Sequence, residues 1–395
     1  MNSSNHKQKI YFDHSATTPV HPQVLEAMMP CFSANFGNAS SVHSFGQEAK
    51  VALEEARRQI AAVINAEPSE IVFTSGGTEA DNLAVKGTAQ FFSGRKTHIV
   101  TSAVEHHAVL YACKYLEKNG FEVTYVPVDK FGLVSPDKVA QAIREETCLV
   151  SIMHANNEIG TINPIPEIAA LSKDRGILFH TDAVQTLGKI PIDVKEMNID
   201  MLSISGHKIY GPKGIGALYI RRGIQIEKIM HGGKHERDRR AGTENIPGAV
   251  GLGKAAEICS RSMEKDRVKL TELRDDLQRK ISDILPEVHL NGHETKRLPG
   301  ILNMSFPGAA SDSLLLSLDL KGIAVSNGSA CSSGTIEPSH VLKGLKLSKN
   351  LANSAIRFSL GKENTPEEID VTVGVLQEIV SRLRGLKRGK KLIAA

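Results

Sequence analysis

Three segments of the chain place polar side chains directly after short apolar runs. In the first, Phe73-Thr74-Ser75-Gly76-Gly77-Thr78-Glu79, the apolar run ends, two glycines form a turn and a helix begins. Backbone N–H groups at such a helix start, around Gly77 and Thr78, favour the binding of an anion such as phosphate, and Thr78 adds a hydroxyl. The spacing matches neither the P-loop nor the dinucleotide-binding fingerprint. An ordinary glycine turn with a threonine cap is the alternative explanation.

The second and third segments supply a carboxylate and an amine. Asp182, in residues 180–185, can pair with a protonated pyridine nitrogen or can simply cap a helix. Lys208, in residues 203–214, lies near glycines, where its amine can form a Schiff base with an aldehyde. An isolated lysine is usually a surface charge. The phosphate cradle, the pyridinium partner and the amine together predict pyridoxal 5'-phosphate (PLP) as the cofactor, with Lys208 as the Schiff-base residue.

Two further segments contain groups able to move protons or sulfur. His106, in residues 104–110, can stack on a cofactor ring and exchange protons near neutral pH, although paired histidines also occur at exposed helix starts. A metal site is not expected there, because adjacent side chains diverge on any regular element. Residues 326–335 are nearly all small and polar, which predicts a loop with a reactive thiol at Cys331. The other four cysteines lie in helical or strand-like contexts and are expected to be structural.

The elements that must position these residues follow an alternating pattern. From about residue 48 to 255, strand-length apolar runs alternate with helix-length segments, which predicts a mainly parallel sheet with helices on both faces. Ligands bind at the carboxyl ends of strands in such sheets, where the polar segments lie. From about residue 262, a charged helix, short strands and a final helix capped at 365–368 predict a second, smaller α/β domain.

Composition narrows the functional classes. The chain has 395 residues, a length typical of about two domains, and a net charge of +4. Its basic end, residues 382–391, lacks interleaved aromatic residues, so we expect a solvated tail and no nucleic-acid site. The five scattered cysteines favour a reducing cytosol and no metal centre. Neither a signal peptide nor a membrane span is expected.

Taken together, the motifs resemble those of the group I (NifS/IscS-like) cysteine desulfurases of the class V aminotransferase family. The segments that carry the resemblance extend over nearly the whole chain and are residues 11–19, 36–43, 73–83, 153–160, 203–214, 231–237, 329–331 and 356–361. The resemblance implies the PLP-dependent fold type I (aspartate aminotransferase-like), with a seven-stranded sheet. It implies a large PLP-binding domain over residues 18–260. A small domain would comprise residues 1–17 and 261–395 and carry the cysteine loop at about 326–336.

The resemblance also implies roles for individual residues. Cofactor contacts are expected from Gly77, Thr78, His106, Asn157, Asp182, Gln185, Ser205, His207, Lys208 and Thr243. Among them, Asp182 would pair with the ring nitrogen, Gln185 with the ring hydroxyl, and Thr243 with the phosphate bound by a neighbouring subunit. The phosphate contacts within the subunit would come from Thr78, Ser205 and His207. Asn157 and Arg357 would hold the substrate carboxylate, Arg357 through a two-pronged contact. Catalysis would depend on Lys208, Cys331 and His106.

The implied reaction removes sulfur from L-cysteine, yielding L-alanine and a persulfide on Cys331. The implied protein is a cytoplasmic homodimer that supplies sulfur for iron–sulfur clusters or other thio-cofactors. A sulfur acceptor or scaffold protein would bind transiently, with the Cys331 loop able to contribute a cluster ligand. The alternatives are a selenocysteine lyase, another fold type I aminotransferase, or a non-catalytic partner protein. His14 stands where many relatives have asparagine or tyrosine, and the short basic C-terminus leaves the acceptor unidentified.

Overall fold

The structure is a computed structural model that describes residues 9–327 and 338–393. The strands are β1 (Ile10–Tyr11), β2 (Ile71–Thr74), β3 (His98–Ser102), β4 (Glu122–Val126), β5 (Thr147–Ser151), β6 (Leu178–Asp182), β7 (Met201–Ser205), β8 (Gly216–Ile220), β9 (His289–Asn291), β10 (Ile301–Ser305), β11 (Ile323–Ala324) and β12 (Ala355–Ser359). The helices are α1 (Pro22–Met28), α2 (Pro30–Ser33), α3 (Ser44–Val63), α4 (Gly77–Phe92), α5 (His107–Glu117), α6 (Pro136–Ala142), α7 (Ile165–Asp174), α8 (Ile246–Ile284), α9 (Ser311–Leu320), α10 (His340–Gly344), α11 (Lys349–Ala352) and α12 (Pro366–Ile393).

Seven strands form the main sheet, in the order β2-β8-β7-β6-β5-β3-β4. The neighbours from β7 to β4 are parallel, whereas β8 is antiparallel to both β2 and β7. Because β2 and β7 both oppose β8, they point the same way, and the carboxyl end of β2 meets those of β6 and β7 at one edge. The structure therefore brings the segments after these three strands together, and the predicted mainly parallel α/β fold is confirmed.

Both faces of this sheet are covered by helices. Strands β3, β5, β7 and β8 are buried at every residue, as expected for strands packed on two sides. One face packs against α4 and α5 through residues such as Leu83 and Leu116. The other packs against α3, α7 and the first half of α8. The buried apolar residues of α3, among them Ala49, Leu53 and Ile60, lie on this second face.

A second hydrophobic core lies around two smaller sheets. Strands β12, β10 and β9 form an antiparallel sheet, and β1 pairs in parallel with β11. Their apolar side chains pack with α9, α12 and the second half of α8, where Leu273 and Leu277 are buried. The predicted capping box at the start of α12 is present: the backbone N–H of Thr365 donates to Glu368 Oε2 at 3.2 Å, and the N–H of Glu368 donates to Thr365 Oγ1 at 3.4 Å.

Helix α8 differs most from the sequence expectation. The charged helix was expected from about Met263, but the structure begins it at Ile246, so one 39-residue helix contributes to both cores. The early part of α8 contains Gly248, Gly251 and Gly253. Because glycine has a low helix propensity, this part of the helix is difficult to predict from the sequence. Tertiary packing compensates, since a Cβ at Gly253 would lie 2.7 Å from the Cα of Ala56 in α3. Within the described residues, no helix has the length and apolarity needed to cross a membrane.

A buried ion pair anchors the segment that precedes α8. Arg57 of α3 donates to both carboxylate oxygens of Glu236 at 2.7 and 2.8 Å, and to the carbonyl of Ile71 at 2.6 Å. Glu236 also accepts from the backbone N–H of Phe73 at 2.8 Å. Residues 236–238 all have positive φ, which is uncommon for non-glycine residues. The ion pair therefore holds a strained backbone against the edge of the sheet.

Replacing Arg57 by methionine should leave the Glu236 carboxylate buried without its cation. The free energy of unfolding should fall by about 3–5 kcal/mol, the usual cost of breaking a buried pair on one side. Urea unfolding followed by circular dichroism measures it. Arg58→Met is the matched control, because Arg58 pairs with Glu55 at the surface and should contribute less than about 1 kcal/mol. Equal destabilisation by the two variants would contradict the role given to the buried pair.

Candidate functional site

A pocket of about 470 Å³ opens at the carboxyl edge of the main sheet. It lies between this edge and residues of the N-terminal and C-terminal segments, within the size range of small-molecule sites. The predicted site residues that line it are Gly77, Thr78, His106, Asn157, Asp182, Gln185, Ser205, His207, Lys208 and Arg357. Residues from five strand ends and from β12 thus meet in one cavity.

One end of the pocket is suited to an anion. Gly77 and Thr78 are the first two residues of α4, so their N–H groups have no partner within the helix. A Cβ at Gly77 would lie 2.6 Å from Val184 Cγ2 and 3.4 Å from Ser205 Cβ, which explains the glycine. His207 lies beside them, and burial together with the charge of Lys208 lowers its pKa to about 4. The neutral imidazole interacts with Thr17 Oγ1 at 3.2 Å.

Two buried carboxyl groups, those of Asp182 and Asp81, also line the pocket. Asp182, the last residue of β6, accepts from the backbone N–H of Val184 at 2.8 Å. Asp81 of α4 is 1% exposed, and its Oδ1 has no hydrogen-bond partner among the described residues. Burial raises the pKa of both carboxyl groups, and the charge of Asp182 adds to the effect on Asp81. His180 Nε2 lies 3.7 Å from Asp81, but burial lowers the pKa of His180 to about 3, so it supplies no counter-charge.

Lys208 lies in a short 3-10 turn directly after β7. Its Nζ donates to the backbone carbonyls of Ser15 and Ala16, both at 2.6 Å. Burial, followed by the positive charges of Lys189 and Arg357, lowers the pKa of Lys208 to about 7. A substantial fraction of the amine is therefore unprotonated at neutral pH, as a nucleophile requires.

His106 is the N-cap of α5 and also lines the pocket. The two interpretations of this residue, a helix start and a cofactor contact, are therefore compatible. Its Nδ1 accepts from the backbone N–H of Ala108 at 3.2 Å, and its ring borders the pocket. Burial, followed by the charge of Lys208, lowers the pKa of His106 to about 4. The ring is therefore neutral, with Nδ1 as the acceptor and the proton on Nε2.

Arg357 lies on β12, a strand of the second core, and lines the pocket. It donates through Nη2 to Asp13 Oδ1 at 2.7 Å and through Nη1 to the carbonyl of Asn157 at 3.0 Å. Its Nε has no partner among the described residues, and its side chain is 5% exposed. The side chain of the neighbouring Asn156 is engaged with Val104, Glu158 and Ile159, whereas Asn157 lines the pocket.

Two predicted residues are not among those that line the pocket. Thr243 is exposed, in the segment before α8. Cys331 lies outside the described residues, as does most of the predicted 326–336 loop. Ser326 is described and lines the pocket, and its backbone pairs with that of Arg357.

Sequence reasoning missed several pocket residues, namely Asp13, Ser15, Ala16, Asp81, Met153, Ala155, Val184 and Ser326. Asp13 and Asp81 are the chemically important ones. Asp81 lies three residues after Thr78, about one helical turn. The sequence could therefore have placed both residues on the same face of α4.

The donor set fits PLP. A helix start whose glycine leaves no room for a side chain suits a phosphate, and the buried carboxylate of Asp182 suits a protonated ring nitrogen. Lys208, whose pKa is lowered to about 7, suits the aldehyde.

Comparison with known proteins identifies the family. The model of the class-V aminotransferases matches residues 10–371. The chain belongs to this family. It is 51% identical over 385 residues to the cysteine desulfurase IscS of Dictyoglomus turgidum, covering 98% of each chain. A solved NifS-like protein superposes with a TM-score of 0.90 at 40% identity, covering 95% of this chain and 100% of that one.

A second solved structure, described as SspA in complex with cysteine, is 40% identical and gives a TM-score of 0.80. It covers 89% of this chain and 99% of that one. The resemblance to NifS/IscS-like cysteine desulfurases and the PLP fold type I architecture are therefore confirmed. The family implies PLP chemistry.

Gly77→Ala tests the anion end of the pocket. The added methyl would push against Val184, and overpacking of this kind costs about 1–3 kcal/mol, so PLP binding should weaken by a comparable amount. An absorbance titration of the apoprotein with PLP measures the dissociation constant. The double variant Gly77→Ala/Val184→Ala removes the clashing Cγ2 atom and should recover most of the loss. Unchanged affinity in the single variant would mean that the close approach is not required.

Proposed function

We propose that this chain is a PLP-dependent cysteine desulfurase that converts L-cysteine to L-alanine and retains the sulfur on Cys331. The observation that supports this proposal most directly is that Lys208, Asp182 and Arg357 line one pocket. The start of α4, which is suited to a phosphate, lines the same pocket. The relatives named as cysteine desulfurases, about half identical over nearly the full length, support the same activity.

PLP bound in this pocket supplies an aldehyde for amines and an electron sink for negative charge at the substrate Cα. Lys208 would anchor the cofactor through its amine and, once released by the substrate, would take the Cα proton, because a pKa lowered to about 7 leaves a substantial fraction of the amine unprotonated. Asp182 would hold the ring-nitrogen proton, Gln185 would contact the ring hydroxyl, and His106 would stack on the ring. The phosphate is held by the start of α4 at Gly77 and Thr78, together with Ser205 and His207.

The substrate carboxylate binds to Arg357 and Asn157. Arg357 is already oriented by Asp13 and by the carbonyl of Asn157, so its planar guanidinium loses little freedom when it receives a carboxylate. This cation sits on β12, whereas the helix start suited to the phosphate belongs to α4.

Cys331 supplies the nucleophile for sulfur. Its thiolate attacks the sulfur of the bound substrate, so that a sulfur–sulfur bond forms and the carbon–sulfur bond breaks. The bonding pair stays with the substrate Cβ, which takes up a proton and becomes the methyl group of alanine, while the sulfur stays on Cys331 as a persulfide. The residues on either side of 328–337 are held beside the pocket. Ser326 pairs with Arg357, and His340 interacts through Nε2 with the carbonyl of Glu105 at 2.9 Å, next to His106.

The assembly and the cellular role form part of the proposal. The chain acts as a cytoplasmic homodimer in which Thr243 reaches the phosphate of the partner subunit. Residues 18–260 form the PLP-binding domain, and residues 1–17 with 261–395 form the small domain. A sulfur acceptor or iron–sulfur scaffold takes sulfur from Cys331 and can receive a cluster ligand from the same loop.

Two related activities remain as alternatives, and one substrate assay separates them. A desulfurase given L-cysteine and a thiol reductant forms alanine and releases the persulfide sulfur as sulfide, whereas an aminotransferase forms a keto acid only when an acceptor keto acid is present. Turnover of selenocysteine but not of cysteine would instead identify a selenocysteine lyase.

Cys331→Ala should lose alanine and sulfide formation from cysteine and keep the PLP absorbance, because the thiol transfers sulfur and does not bind the cofactor. Mass spectrometry of the parent protein after exposure to cysteine should find one added sulfur on Cys331. Ser332→Ala, in the same segment, is the control and should retain activity. Full turnover by Cys331→Ala, or added sulfur only on another cysteine, would refute this role.

Arg357→Lys should raise the KM for cysteine about 10- to 100-fold, because lysine keeps the charge but loses the planar two-pronged contact. The PLP absorbance should be unchanged, since Arg357 is assigned to substrate. Arg382→Lys, an exposed substitution on α12, serves as the control for generic effects. If KM is unchanged and the affinity for PLP falls instead, Arg357 belongs to the cofactor site.

A further inference from the structure

Lys189 is a cation that the proposed reaction leaves without a role. It extends into the interior beside a cavity of about 40 Å³ that Lys208 and His14 also border. Within the described residues, no carboxylate lies within 4.0 Å of its Nζ. Burying a cation without a paired carboxylate costs free energy, so packing does not explain why a lysine occupies this position.

The backbone places Lys189 with little freedom. It ends a helical turn that begins after β6, and its N–H donates to the carbonyl of Thr186 at 3.0 Å. The preceding residue, Gly188, has φ of +69°, and a Cβ there would lie 2.6 Å from Cys259 Cβ on α8. This turn is therefore pressed against α8, and the Lys189 side chain starts from a defined position.

Lys189 fixes the orientation of the Gln185 amide. Its Nζ donates to Gln185 Oε1 at 3.1 Å, and an ammonium group can only donate. The amide oxygen must therefore face Lys189, which leaves Gln185 Nε2 to donate to the carbonyl of Ser15 at 3.0 Å. The remaining N–H of that nitrogen is free for the pocket, where Gln185 is assigned to the ring hydroxyl.

Lys189 also acts on the Schiff-base lysine. The carbonyl of Ser15 that accepts from Gln185 accepts from Lys208 as well, so the three side chains form one connected group. The positive charge of Lys189 contributes to lowering the pKa of Lys208, and burial lowers the pKa of Lys189 only to about 8. Because both amines belong to the same hydrogen-bonded group, a positive charge on Lys189 disfavours a second one on Lys208. The charged and titratable groups that face Lys208 are Lys189, Asp182, Arg357, Asp13, His106 and His207.

We infer that Lys189 is a positioning residue for the cofactor site: its ammonium sets the Gln185 amide and opposes a second positive charge on Lys208. The inference rests on the proposed function, because it assigns Lys208 as the amine that captures PLP. Lys189 itself contacts neither cofactor nor substrate. Its effect reaches the site through Gln185 and through its electrostatic field.

The rate at which apoprotein captures PLP, followed by stopped-flow absorbance across pH 5.5–9.5, tests the inference. Capture requires unprotonated Lys208, so the rate should rise with pH. In Lys189→Met the midpoint of this rise should move upward by roughly one pH unit, the effect of removing a nearby like charge. At pH 7 that shift slows capture about fivefold. Lys189→Arg keeps the charge and a donor and should restore the parent profile.

Matched controls separate this inference from the proposed function. Lys173→Met removes an exposed lysine on α7 and should leave the profile unchanged. A parent protein that fails to capture PLP through Lys208, tested with Lys208→Ala, would refute the proposed function. If the parent captures PLP but the Lys189→Met profile superimposes on it, only the role of Lys189 is refuted. A folded Lys189→Arg variant with the same shift as Lys189→Met would refute the charge effect as well.

Discussion

The ammonium of Lys208, bound by two backbone carbonyls of the N-terminal segment, is the contact on which the rest of the site depends. That segment is itself held from both sides: β1 pairs with β11, and Asp13 binds Arg357 of β12. Ser15 and Ala16 therefore reach Lys208 only when both hydrophobic cores are assembled. The amine is thus desolvated and positioned by residues nearly two hundred positions away, and the site forms only with the complete fold.

Burial moves the ionisable groups around the pocket toward their neutral forms. It raises the pKa values of Asp81 and Asp182, lowers those of Lys189 and Lys208, and keeps the nearby His106, His180 and His207 neutral. Neutral imidazoles can hydrogen-bond or stack without adding charge. The electrostatics are consequently set by lysines and carboxylates whose pKa values burial has moved toward neutrality, which is typical of catalytic sites.

Much of this arrangement could be predicted because the carboxyl ends of parallel strands share an edge, so residues after β2, β6 and β7 had to meet. The order of strands could not be predicted, since nothing local in β8 reveals that it runs antiparallel between β2 and β7. The early part of α8 was missed because glycines that permit close packing on α3 look unfavourable for a helix. Lys189 was missed because an isolated lysine usually lies at the surface, and only the packing of Gly188 on Cys259 directs it inward.

The uninterrupted α8 has a mechanical consequence. At 1.5 Å per residue it is about 58 Å long, and it packs in both cores without an extended linker between them. The proposed boundary near residue 260 falls inside this helix, at the start of a stretch between Cys259 and Leu270 where none of its residues is buried. Separating the two cores would therefore require bending a continuous helix, which costs backbone hydrogen bonds. Small molecules are then expected to reach the pocket past short segments at its rim rather than by a swing of one half of the protein against the other.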